Sequence, residues 1–118
     1  MNFASSLTPL NVAGLFELDK IGTVLYSRFR DKNKLINTMP QLVGQNFFEE
    51  IAGFENIGDF RQLFKKFVYS QRFADNFVFD CRFVEEVVSV RVMMMRAYET
   101  SCTQPANIVI LDIRKNGA

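Results

Sequence analysis

The chain has no histidine and no tryptophan in its 118 residues, and only two cysteines and three prolines. Without an imidazole there can be no Ser-His-Asp or Cys-His nucleophilic centre, no histidine-held zinc or haem, and no histidine-based pH switch. Cys81 and Cys102 are too far apart in sequence for a C-x-x-C pair and read as ordinary reduced thiols. No apolar run approaches the ~20 residues of a membrane span. The first ten residues also lack the basic and apolar regions of a signal peptide. No N-x-S/T acceptor is present either, so a cytoplasmic location is the expectation unless the segment belongs to a larger membrane receptor. A formal net charge of +1 offers no long-range steering toward nucleic acid or an anionic membrane.

What the chain does have is phenylalanine, thirteen in all, enough for one aromatic core in a domain of this length. The organising stretch runs from Leu42 to Phe54. There Gly44 supplies a turn, and Asn46 is placed to cap a short helix with Glu49 reaching back to it. Phe47, Phe48 and Ile51 are its apolar face, and Gly53 is its expected end. Residues 1–11 read as an N-terminal strap over exposed apolar surface, and residues 12–115 as the domain proper. Val12–Leu18 and Thr23–Ser27 flank a tight turn containing Gly22 and predict a hairpin. The run from Arg28 to Lys34 has four cations and one acid, and reads as solvated helix surface because aromatics are not interleaved for nucleic-acid binding.

Asp59 is the expected cap of the longest helix, with Gln62 closing the box. Phe60, Leu63, Phe64, Phe67 and Val68 make its apolar stripe, and the helix ends near Ser70. Strict alternation then predicts three strands. Phe77, Phe79, Cys81 and Phe83 line one face of the first, Val88, Val90, Val92 and Met94 one face of the second, and Val109, Leu111 and Ile113 one face of the third. Glu85-Glu86 makes the first turn between them, and a polar loop after Tyr98 makes the second. Two strands, then helices, then three strands give an α+β domain whose five-stranded antiparallel sheet has helices packed on one face. Val87, Met93, Met95, Ile108 and Ile110 then fall on the other face, an apolar patch that calls for a strap, a second copy or another domain.

Leu18-Asp19 with Gly22, Val43-Gly44-Gln45-Asn46-Phe47-Phe48, Asp59-Phe60, Phe64-Lys65 and Phe79-Asp80 resemble, in order and spacing, PAS sensory domains, most similar to the photoactive yellow protein branch. The likeness spans roughly residues 13–114 and implies a PAS-like fold and a bacterial sensory role. It lays the chromophore-bearing cysteine of that branch on Phe54, its phenolate-binding tyrosine on Ser27 and its buried carboxylate on Asp31. A thioester needs a thiolate, and Phe54 has none, so photochemistry by that route is not expected.

The main expectation is therefore a non-photoactive signalling module that dimerises or docks a partner protein through the outer sheet face, with no cofactor and no metal. The alternative is a sensor holding a small apolar or aromatic ligand between the long helix and the sheet, in a pocket built from Ser27, Asp31, Phe47, Phe54, Phe64 and Phe67. Enzymatic activity is not expected. Asp31, Glu49, Glu50, Asp80 and Asp112 each have a structural role as cap, turn or strand-surface charge, and no spacing forces two of them to converge.

Overall fold

The computed structural model describes residues 7–29, 42–97 and 108–117. Asp31, most of the cationic run, Cys102 and the polar loop after Ala97 lie outside the described residues.

The hairpin forms from β1 (Gly14–Leu18) and β2 (Val24–Phe29), paired antiparallel with a bulge between Glu17 and Leu18. Arg28 and Phe29, expected on a helix, instead extend β2, because Leu15 and Gly14 of β1 continue to pair with them. The turn is held by the Asp19 carboxylate, which accepts from Ile21 N–H (3.1 Å) and Thr23 N–H (2.8 Å). Gly22 has φ 97°, and a Cβ there would lie 2.7 Å from the Phe48 ring, so glycine is required twice over.

That turn is tied directly to the organising stretch. Gly22 C=O accepts from Phe47 N–H (2.8 Å), and the Asn46 amide donates to Ile21 C=O (2.8 Å). Asn46 Oδ1 accepts from Phe48 N–H and Glu49 N–H, as a cap should. The element it caps, Phe47–Ile51, is a π-helical turn closed by Ala52 N–H to Phe47 C=O (2.8 Å), with Ala52 as its end rather than Gly53. The wider turn moves the reciprocal carboxylate one residue on. Glu50, not Glu49, accepts from Asn46 N–H (2.7 Å), and Glu49 bridges Arg61 at 3.0 Å instead.

The long helix α1 (Ile57–Tyr69) is capped by Asn56 through its position alone; Asp59 lies inside the first turn and favours the helix through its charge. The Asn56 side chain is used elsewhere, as described below. Phe60, Phe64 and Phe67 are buried, whereas Leu63, expected in the stripe, faces solvent because the contact with the sheet is narrower than the apolar arc.

Strands β3 (Ala74–Arg82), β4 (Val87–Ala97) and β5 (Ile108–Lys115) form the meander, with Phe83 N–H to Glu86 C=O (2.9 Å) closing the first turn. The sheet has five antiparallel strands in the order β2-β1-β5-β4-β3. Its inner face, the π turn and α1 share one core. Residues 7–11 also contribute to that core: Leu7 is buried, its N–H donates to Ile51 C=O (2.8 Å), and buried Asn11 closes the Thr8–Asn11 turn through its Oδ1. The described part of the strap therefore docks on the helical side of the sheet and leaves the outer face uncovered.

Candidate ligand pocket and docking face

The position expected to hold a ligand is occupied by rings. Phe54 is 2% exposed, and its ring lies 5.7–6.1 Å from those of Phe60, Phe79 and Phe83. Phe60 in turn contacts Phe47, Phe48, Phe77 and Phe79, and Phe48 contacts Phe64 at 4.9 Å. Phe16 and Phe29 extend the chain through Phe47 to the far end of the sheet. Several of these contacts are edge-to-face, which adds about 0.5–1.5 kcal/mol per pair to the burial itself.

Of the six pocket candidates, Phe47, Phe54 and Phe64 are thus brought together through Phe48 and Phe60. Phe67 is buried in the same core, with the Arg96 guanidinium 5.1 Å above its ring. Ser27 is paired with Phe16 on the inner side of the hairpin and is partly exposed. Asp31 lies outside the described residues. A groove of about 480 Å³ lies on the solvent side of α1, lined by Gln62, Leu63, Lys65, Lys66 and Tyr69, and not between helix and sheet. Among the described residues no three Cys, Asp or Glu side chains cluster as metal ligands would.

Two anchoring residues were missed in the sequence. Arg96 donates to the carbonyls of Phe67 (2.9 Å), Val68 (3.4 Å) and Ser70 (3.1 Å), capping the C-terminus of α1 from β4. Asn56 donates to Asp80 C=O (2.7 Å) and accepts from Arg82 N–H (3.0 Å), fastening the start of α1 to β3. Both bonds join elements more than twenty residues apart, so no local spacing announces them. Cys81 is buried between the two β3 residues that Asn56 binds, and its thiol is pushed up to about 12, first by burial and then by the charge of Asp80.

On the outer face the register sorts the side chains into rows. Met95 is opposite both Ala74 and Ile110, and Ile110 is opposite Glu17. Met93 is opposite Asn76 and Asp112, and Ile108 is opposite Ala97. Met93 is 40% exposed, and Met95, Ile108 and Ile110 are half-buried by their neighbours on the face. These four form a continuous apolar strip bordered by Glu17 and by the Asp112–Arg114 pair. Val87, though exposed, pairs with Arg82 at the far end of β4, roughly 20 Å from Met93, with Ser89 and Arg91 between them on the same face.

No family model and no curated protein matches the sequence. Solved structures do match. The photoactive yellow protein domain of the sensor histidine kinase Ppr from Rhodospirillum centenum is 27% identical, with 87% of this chain and 91% of that chain covered at a TM-score of 0.61. The PAS domain of BvgS from Bordetella pertussis is 12% identical, covering 94% and 79% at a TM-score of 0.62. The PAS-B domain of Cycle from Drosophila melanogaster is 15% identical, covering 86% and 98% at a TM-score of 0.57. In strand order, in the helices on one face and in its resemblance to these structures, this chain is folded as a PAS domain.

Proposed function

We propose that this chain is a non-photoactive sensory or interaction module, which transmits a signal by docking an effector domain, a partner protein or a second copy on its outer sheet face. The observation that carries this reading is the strip Met93, Met95, Ile108 and Ile110, which no described residue covers. Apolar surface held in water by a rigid sheet is the ordinary mark of a docking site. The interior supports the same reading. The residues do not fit the covalent chromophore of the photoactive yellow protein branch, since Phe54 has no nucleophile and Ser27 no phenol. A free ligand beside Phe54 would have to displace rings already in contact with one another. The reading includes no catalytic role and a cytoplasmic setting.

The test is light scattering coupled to size exclusion over a dilution series, with the double substitution Met93→Lys and Ile110→Lys as comparison. A charge at each position disrupts an apolar contact on that face while leaving the core untouched. The expected result is an assembly, with itself or with a co-expressed effector, that the double variant loses. Identical behaviour of the two proteins in both settings would remove the outer face from consideration.

A further inference from the structure

The sheet order leaves β3 at an edge, and three hydrogen bonds show which of its backbone groups point away from β4. Glu55 N–H donates to Arg82 C=O (2.7 Å), the Asn56 amide donates to Asp80 C=O, and Arg82 N–H donates to Asn56. Backbone groups alternate along a strand, so Val78, Asn76 and Ala74 turn theirs outward as well. All three residues are exposed, Val78 by 59%, and none of these outward groups has a partner among the described residues. The edge is therefore closed at one end by Glu55 and Asn56 and open over Ala74–Val78.

We propose that this open edge pairs with the same edge of a second copy, antiparallel about a two-fold axis at Asn76, to make one continuous sheet across two protomers. The surface is distinct from the outer-face strip and does not depend on it. In this register Asn76 faces the partner's Asn76, and Ala74 and Val78 face the partner's Val78 and Ala74, so every outward N–H and C=O of the open window gains a bond. The small Ala74 leaves room for the larger Val78. Two residues beyond each end, Arg72, which is well exposed and also pairs with Asp75 of its own chain at 3.3 Å, comes opposite the partner's Asp80. The neighbouring registers are disfavoured by charge. A slip of one pairing step toward the N-terminus sets Asp75 against the partner's Asp75. The same slip the other way sets Arg72 against the partner's Arg82 and asks Asp80, already bonded to Asn56, for a second partner. An edge that forbids its wrong registers while satisfying one self-complementary register is suited to a copy of itself.

Sedimentation equilibrium over a wide concentration range tests this with Asn76→Pro and with a charge swap. Proline at residue 76 removes an N–H that has no partner among the described residues, so the fold is kept while the central pair is lost. The expected result is a wild-type dimer whose dissociation constant rises about tenfold or more in Asn76→Pro, with an unchanged circular dichroism spectrum. Asp80→Arg alone should weaken the dimer several-fold by setting arginines against each other, and adding Arg72→Asp should restore it to about the wild-type value. If Asn76→Pro does not fold, the charge swap alone decides. A monomer at every concentration overturns the proposal. So does a dimer indifferent to both changes, and if that dimer is broken by Met93→Lys with Ile110→Lys, the outer-face reading stands while this one falls.

Discussion

Cys81 shows how far one side chain's chemistry is set by its surroundings. Its sulfur lies on the inner face of an edge strand, buried, with the charge of Asp80 next to it, so the thiolate is disfavoured and the thiol held up to about 12 against an ordinary 9.0. A thiol in that state is a packing group and a poor nucleophile. In a Cys102→Ser background, a maleimide at pH 8 should leave the folded protein unlabelled and react only after denaturant is added. The same shift has a thermodynamic consequence of definite sign. Between pH 9 and 12 the unfolded chain ionises this thiol and the folded one does not, so the contribution is whole below pH 9 and declines as pH rises, by at most about 1.4 kcal/mol per unit. Urea melts of wild type and Cys81→Ala at pH 8 and pH 10.5 should therefore converge at the higher pH. A gap that stays constant would mean that Cys81 ionises equally in both states.

At the scale of elements, α1 is positioned by its two ends as much as by its apolar stripe. Asn56 ties the first turn to β3, and Arg96 ties the last turn to β4 through three carbonyls at its end, of which that of Phe67 also accepts from the Ser70 N–H and hydroxyl. Arg96→Met keeps the aliphatic stem over Phe67 but removes the donors, and should cost about 2 kcal/mol. Hydrogen exchange should locate the loss in residues 66–70, with the first two turns of α1 protected as before and with Arg96→Lys recovering only part of it. Uniform exchange along the helix would show that the clamp carries no local load. These ends also mark the limit of what the sequence discloses. The hairpin, the meander and the Phe60-Phe64-Phe67 face are legible because periods of two and near four report burial directly. Asn46 was legible as a cap because its partners are two and three residues away, but the π turn that hands the reciprocal bond to Glu50 was not, since nothing in the local spacing distinguishes it from an α turn. Asn56 and Arg96 could not be read at all, because their partners come from strands and turns fixed only when the sheet forms.

For the whole molecule, stability and communication are assigned to different places. The core runs unbroken from Leu7 through the hairpin, the π turn and α1 to β5, and its middle is a network of phenylalanine rings in contact with one another. The outer sheet face and the β3 edge carry little of that burial and are covered by none of the described residues. Phe54 separates the two roles, because it has three ring neighbours and no access to either surface. Phe54→Ala should lose about 3–5 kcal/mol, the transfer term plus the void left among Phe60, Phe79 and Phe83. Such a void is apolar, stays dry and accepts a small aromatic molecule. Indole should therefore raise the melting temperature of the variant and leave wild type unmoved, while association through either surface is unchanged in both. A wild-type protein stabilised by indole to the same degree would mean that the rings beside Phe54 already leave a binding site, and the division between a solid interior and communicating surfaces would have to be abandoned.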